Sequence, residues 1–326
     1  MAVIEVKNLT KIFTVYQKEP GILGTFKSLF GRKYEEIKAV DNISFSIEEG
    51  ELVGFIGPNG AGKTTTLKCL SGLLYPTGGV INVLGFQPWR RKADFLKKIA
   101  FVMGQKNQLW WDLPPMETFV LNKEIYGLSD EKFKKVLGDL VDLLDLSDLL
   151  KVPVKKLSLG QRMKCELIAS LLHSPQVLYL DEPTIGLDVV MQKKLRDFIR
   201  DYNHKYKATI MLTSHYMADV EALARRVIII NRGRILFDGD LTSLIKKHAP
   251  YKLITLVLKE QVARQKFEKL GKIKKFSYPE VVLKVESHLS NKIAAKILEN
   301  FPVDDLNIED ADIEEVIREI FQSQNE

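Results

Sequence analysis

Cysteine is nearly absent from this chain. Only Cys69 and Cys165 occur in 326 residues, which excludes a disulfide framework and fits a reducing, cytoplasmic compartment. Long apolar runs are missing as well. None approaches the roughly 18 residues of a membrane span; the longest, such as 177–180 and 227–230, have strand length. The first residues, Met1 to Lys7, lack the basic stretch, apolar stretch and cleavage pattern of a signal peptide. The chain is therefore expected not to cross a membrane by itself. Excess charge is small: 48 basic against 42 acidic side chains leave +6, which permits nucleic acid or an anionic membrane surface as partner and demands neither. Internal repeats and low-complexity tracts are also missing. What remains is ordinary globular composition, 45% hydrophobic and 28% charged, long enough for two domains.

Hydrophobic patterning gives the organisation. Strands are expected at 2–6, 43–47, 52–56, 177–180, 209–213 and 227–230. Helices are expected from Lys63, across about 90–172, and around 191–202 and 218–225. Strands alternating with helices imply an α/β fold with a largely parallel sheet. Composition shifts near residue 241, so the domains are read as 1–240 and 241–326. The second reads as a small α+β domain: a strand at 253–258, a helix at 262–270, a hairpin of 272–278 with 281–286, then helices at 290–300 and 313–321. Asp312 with Glu315 resembles a capping box for the last helix. This domain is neutral but split. Residues 246–275 hold ten basic and two acidic side chains, and 299–326 hold one basic and ten acidic. The two segments are expected to pair.

Gly57-Pro58-Asn59-Gly60-Ala61-Gly62-Lys63-Thr64 fits G-x-x-x-x-G-K-[ST] between an apolar strand and a helix. Glycines let backbone N–H groups close around phosphate oxygens, Lys63 supplies a point charge, and the Thr64 hydroxyl is placed for Mg²⁺. Further on, residues 177–180 lead into Asp181-Glu182. Acids at a strand end stand where open α/β sheets bind ligands. Asp181 suits a metal held through Thr64, and Glu182 suits orienting an attacking water.

Two further motifs complete a constellation. Leu157-Ser158-Leu159-Gly160-Gln161 lies upstream of Glu182, and Thr213-Ser214-His215 lies downstream. With the phosphate loop and Asp181-Glu182, this order resembles the ATPase subunit of an ABC transporter over about residues 2–240. The resemblance implies a P-loop ABC ATPase domain with a mixed sheet core and a helical subdomain at about 90–172, binding ATP and Mg²⁺. It implies that Phe13 stacks on adenine, with Tyr16 as fallback, and that the phosphate loop, including Thr65, holds the phosphates. Gln105 touches Mg²⁺ and the attacking water. Ser158, Gly160 and Gln161 belong to the signature, Asp188 crosses a dimer interface, and His215 contacts the γ-phosphate. Ser158 and Gln161 also form a helix-opening capping box in their own right. Departures are Leu159, where the common signature has glycine, Ala224-Arg225-Arg226, where Cys-Asp-Arg is usual, and one extra residue, Gly104, before Gln105.

The resemblance also implies partners: a second ATPase subunit, identical or different, and an integral membrane subunit. Trp110 and Trp111 cannot easily share one core and are read as the docking place for that subunit. The chain would then sit at the cytoplasmic face of the membrane. Within the family it looks like the group serving type 2 exporters. The 17–38 insertion carries Ile22, Leu23, Phe26, Leu29 and Phe30 at helical spacing with basic flanks. That pattern fits either a membrane or partner surface or a cover for the chain's own sheet edge. The alternative reading is a soluble ABC ATPase acting on nucleic acid or ribosomes, but the chain has a single ATPase half and no coiled-coil heptads. No nucleic acid is expected. The basic cluster Arg90-Arg91-Lys92 with Lys97-Lys98 is read as a membrane-proximal surface.

Overall fold

The computed structural model describes residues 2–16, 34–104, 108–214 and 216–322. Gln105, His215 and residues 17–33 of the insertion lie outside them. The chain divides into two compact units, Met1–Gly239 and Asp240–Glu326.

The strands of the first unit are β1 (Ala2–Tyr16), β2 (Tyr34–Glu48), β3 (Leu52–Ile56), β4 (Gly78–Val83), β5 (Ile99–Met103), β6 (Val177–Asp181), β7 (Thr209–Thr213), β8 (Arg226–Asn231) and β9 (Arg234–Asp240). Its helices are α1 (Lys63–Leu70), α2 (Ala93–Leu96), α3 (Pro115–Tyr126), α4 (Asp130–Leu144), α5 (Leu159–Leu171), α6 (Val189–Tyr206) and α7 (Met217–Leu223). One sheet has the order β5-β6-β7-β3-β8-β9, and its β5-β6-β7-β3-β8 core is parallel. A second, antiparallel sheet has the order β2-β1-β4.

The parallel strands are continuous apolar runs because both faces are covered. Leu178, Leu180, Ile210 and Leu212 turn to one core with Phe133, Leu140, Leu167 and Phe198 from the helices. Val177, Tyr179 and Met211 turn to the other, with Ile4, Val6, Ile47 and Leu67. The two-residue period of the strand thus serves two cores at once. α5 opens with a complete capping box: Gln161 N–H donates to Ser158 Oγ (3.2 Å), and Ser158 N–H donates to Gln161 Oε1 (2.9 Å). α6 is capped by Asp188, whose carboxylate accepts from Met191 N–H (2.9 Å).

Several elements differ from the patterning. β1 continues to Tyr16, because register shifts after Val6 and a left-handed Asn8 (φ 52°) break its alternation. β2 starts at Tyr34, so residues 34–38 of the insertion are strand. β5 lies inside the 90–172 stretch expected to be helical; five apolar residues after Lys97-Lys98 are too few for a period to tell strand from helix. β4 and β9 are partly exposed edge strands; β4 alternates only over Val80–Val83, and β9 has no fully buried position.

The second unit contains α8 (Leu241–His248), β10 (Tyr251–Leu258), α9 (Arg264–Glu268), β11 (Lys272–Ser277), β12 (Glu280–Glu286), α10 (Ser290–Asn300), β13 (Val303–Asp310) and α11 (Ile313–Gln322). From β10 to β13 the succession is β-α-β-β-α-β. The strands lie in the order β11-β12-β10-β13, all antiparallel, which is the split βαβ arrangement. Ile254, Leu256, Val281, Leu283 and Val285 pack with Phe267 of α9 and Ala294 and Ile297 of α10. β13 was not anticipated; its acids mask the apolar alternation at Leu306 and Ile308. The basic and acidic segments meet at Lys252–Asp310 (3.2 Å) and Lys274–Glu315. Glu315 is thus engaged with Lys274, while Asp312 accepts from Glu314 N–H (2.9 Å).

Phe267 is fully buried and stacked on Phe301, with ring centroids 4.8 Å apart. Phe267→Ala is expected to cost this unit about 3–5 kcal/mol. A urea melt of the full chain would show that as an earlier transition.

Candidate functional site

β3, β7 and β6 lie side by side in parallel, so the segments that leave their C-terminal ends converge. The loop after β3 is tight for a steric reason. A Cβ at Gly57 would stand 2.1 Å from the Ile230 carbonyl oxygen, and one at Gly62 (φ 108°) 2.4 Å from that of Ala39. Only glycine fits either place. α1 starts at Lys63, so the free N–H groups of its first turn face the loop.

Lys63 is 5% exposed, and its ammonium donates to the carbonyls of Gly57 (2.6 Å) and Pro58 (3.1 Å). Burial draws its pKa below the usual lysine range, against the pull of Glu182 and Asp181. An anion in the loop would add to the negative charge that Glu182 and Asp181 already set near this buried ammonium. The Thr64 hydroxyl donates to Asp181 Oδ2 (2.8 Å), and the Thr213 hydroxyl donates to Oδ1 (2.8 Å). One carboxylate therefore joins the segments after β3, β6 and β7. Glu182 leaves the line of β6 in a left-handed conformation (φ 55°), its N–H donating to Thr213 O and Oγ1, both at 3.1 Å. That conformation is costly for a non-glycine residue and is held here by Thr213 and by Ile185 N–H, which donates to Glu182 O (3.3 Å).

Glu182 lines a cavity of about 600 Å³ together with Ala39, Ile185 and the loop from Asn59 to Thr65. The volume suits a nucleotide-sized ligand, and the glycine cradle and α1 N-terminus suit its phosphates. Phe13, Ser158, Gly160, Gln161 and Asp188 do not line this cavity. Phe13 sits on β1 opposite Ile37, two residues from the cavity-lining Ala39. The signature residues open α5, where Leu159 approaches Gly186: a Cβ at Gly186 would be 3.0 Å from Leu159 Cδ2. Gly104 has a clear reason, since a Cβ there would stand 2.1 Å from the Glu182 carbonyl oxygen. Gly104 thus lies directly against the backbone of Glu182.

Sequence reasoning missed a buried cluster beside the site. Asp219 of α7 is fully buried and accepts from Thr184 Oγ1 (2.5 Å), Ser214 Oγ (2.7 Å) and Arg196 Nη1 (2.8 Å). The available signal was position: Thr184 follows Glu182 by two residues, and Ser214 precedes His215.

The comparisons agree with this geometry. The family described as "ABC transporter" matches residues 40–185, and "EvrA-like ABC transporter, C-terminal domain" matches 250–309. The chain is 36% identical over 215 residues to the ABC transporter ATP-binding protein NatA of Bacillus subtilis, covering 66% of this chain and 87% of that protein. It is 32% identical over 220 residues to the bacitracin transport ATP-binding protein BcrA of Bacillus licheniformis, covering 68% and 71%.

The chain belongs to the ABC transporter ATP-binding family.

A solved ATP-binding subunit of an ABC transporter superposes with a TM-score of 0.62 at 25% identity, covering 75% of this chain and 92% of that one. The ATP-binding cassette MJ0796, solved as a dimer bound to ADP and Pi, has the same fold, with a TM-score of 0.60 at 24% identity, covering 73% and 98%. As an ABC ATPase, the chain binds and hydrolyses ATP and energises a separate membrane-spanning subunit. The relatives are transporter subunits and leave the nucleic-acid alternative without support.

In this ATPase the signature helix α5 also carries a buried acid. Glu166 is 1% exposed; its Oε1 accepts from Gln108 N–H (3.4 Å) and lies 3.6 Å from Arg162 Nε. Burial pushes its pKa from 4.5 up to about 7, opposed by those two groups. The folded state therefore keeps a proton that the unfolded state releases. Stability falls as pH rises from about 4.5 to 7 and levels off above. The shift corresponds to about 3 kcal/mol. Glu166→Gln removes that titration. Chemical denaturation should find the variant more stable than the parent at pH 8 by up to that amount, with the gap shrinking toward zero at pH 5.

Proposed function

We propose that this chain is the hydrolytic half of an exporter, with Glu182 orienting and activating the attacking water. The observation that carries the reading is the convergence of Thr64, Asp181, Thr213 and Glu182 at the ends of three parallel strands beside the Lys63 loop. The loop and Lys63 bind the β- and γ-phosphates, Phe13 stacks on the base, and His215 contacts the γ-phosphate. Thr64, Asp181 and Gln105 would hold Mg²⁺. Among the described residues no group of three or more His, Cys, Asp or Glu side chains could hold a metal ion. That suits Mg²⁺, which takes few protein ligands and completes its shell with phosphate oxygens and water. When bound, the ion neutralises charge on the phosphates; the chain's own part is to fix the water, the phosphates and the leaving group in line.

One copy holds only half of each site. Ser158, Gly160, Gln161 and Asp188 stand apart from the cavity, so they serve the nucleotide of a second, head-to-tail copy. The capped N-terminus of α5 offers that copy's γ-phosphate free N–H groups and the positive end of a dipole. All the residues needed lie in one chain, so a homodimer suffices. Val189 and Val190, beside Asp188, are 76% and 67% exposed, which supports a contact surface there. Trp110 and Trp111 are half exposed on the segment after Gln105 and dock the membrane subunit. Among the described residues no helix is long and apolar enough to cross a membrane. Association with the cytoplasmic face then runs through that partner, and transport outward follows the likeness to the exporter group.

Two measurements test this. Glu182→Gln should keep ATP binding and lower hydrolysis by two orders of magnitude or more; unchanged turnover would remove Glu182 from its role. Trp110→Ala with Trp111→Ala should abolish co-purification with the membrane subunit while leaving the basal ATPase rate of the chain intact. Undiminished co-purification would place docking elsewhere.

A further inference from the structure

Asp219 is the most thoroughly buried carboxylate that the reaction, as described so far, leaves unused. It is fully inaccessible, and so nearly are its two hydroxyl partners, Thr184 and Ser214, each 1% exposed. Its partners come from three separate segments. Thr184 lies on the loop between Glu182 and Asp188. Ser214 ends the β7 segment next to His215. Arg196 lies on α6, the helix that Asp188 caps. The carboxylate has four lone-pair positions, and three donors aim at it. Charge-assisted bonds of this kind, out of water, fix geometry more firmly than neutral ones.

The cluster reaches both sides of residue 215. Ser214 Oγ donates to Asp219 and itself accepts from Tyr216 N–H (3.0 Å). The residue before and the residue after His215 are thus tied to one oxygen, and that oxygen is tied to Asp219. The same carboxylate oxygen, Oδ2, takes the Thr184 hydroxyl. Thr184 O in turn accepts from Gln192 Nε2 of α6 (3.5 Å). The position of the Glu182–Asp188 loop and the position of the His215 segment therefore depend on one atom.

We propose that Asp219 is a positioning residue for ATP hydrolysis, locking the loop that follows Glu182 to the backbone flanking His215 so that both side chains reach the γ-phosphate together. The proposal rests on the assignment of Glu182 and His215 to the hydrolytic step. Asp219 touches no part of the nucleotide cavity, so it acts on turnover and not on affinity. A loop shifted by an ångström at the γ-phosphate is enough to cost a large factor in rate.

The test uses the full-length chain. Turnover is counted per ATP-binding site, measured with a fluorescent ATP analogue, so unfolded molecules drop out of the rate. Thr184→Val keeps the side-chain volume and removes the hydroxyl. It should lower kcat tenfold or more while nucleotide affinity stays within twofold, and Thr184→Ser should bring kcat back to within twofold of the parent. Ser214→Ala carries the same test if Thr184→Val does not fold. Unchanged kcat in the folded variant overturns the proposal. So does a loss of affinity in step with kcat that Thr184→Ser does not repair, because that is the signature of a merely structural cluster. Glu182→Gln run alongside separates the two ideas. Full activity there defeats the underlying assignment, whereas an inactive Glu182→Gln with a fully active Thr184→Val defeats only the role of Asp219.

Discussion

A single carboxylate organises the catalytic end of the first unit. Asp181 accepts one hydroxyl from Thr64 at the start of α1 and another from Thr213 at the end of β7. Without it the phosphate loop, the acid after β6 and the segment after β7 would share a neighbourhood but no fixed geometry. Its own place is set by β6, buried at all five residues and paired with β5 and β7. The two cores that cover the sheet hold that strand from both faces. The apolar burial therefore does more than stabilise: it fixes the position of one polar group, and that group sets the others.

The polar bonds at this end form two layers. The outer layer is Asp181 with Thr64 and Thr213, open to the cavity through Glu182 and Lys63. The inner layer is Asp219 with Thr184 and Ser214, all closed to solvent, and Arg196, which is 14% exposed. They meet through adjacent residues: Thr213 is followed by Ser214, and Glu182 is followed within two residues by Thr184. A change in one layer is felt in the other through two peptide links. Glu182 stands at this junction in a left-handed conformation (φ 55°) that bulky residues avoid. Such strain persists only where neighbours over-determine it, which the bonds to Thr213 of β7 and from Ile185 N–H do here.

Much of this was readable from residue order, and the rest failed for definable reasons. β3, β7 and the start of α1 follow from uninterrupted apolar runs and a loop whose glycines are sterically required. β5 was hidden because five apolar residues after two lysines carry no period. β13 was hidden because its alternating leucine and isoleucine are diluted by Asp304, Asp305, Glu309 and Asp310. Lys63, Thr64, Asp181 and Glu182 were legible because each stands at a strand end or in a motif with one chemical use. Asp219 was not, because an aspartate two residues into a short helix looks like an ordinary first-turn acid. Its meaning comes from Thr184 and Arg196, which are distant in the chain. Gly104, read as an insertion, proved to be a close approach to the backbone of Glu182.

The departure at Leu159 bears on how two copies meet. A leucine replaces the glycine of the common signature, yet the capping box around it is complete, so the helix end it helps to form is intact. Leu159 is 38% exposed and leans toward Gly186, while Val189 and Val190 stand exposed beyond Asp188. These side chains make an apolar rim next to the signature. Burying a few of them contributes about 1.5–3 kcal/mol each, and a specific stable interface needs roughly 1,200 Å² or more. A rim this small cannot hold two copies by itself. On the proposed arrangement the missing attraction comes from the triphosphate, whose charge is shared between the Lys63 loop of one copy and the α5 N-terminus of the other. Association is then tied to the state of the γ-phosphate, and the weakness of the protein–protein contact is what lets hydrolysis open it.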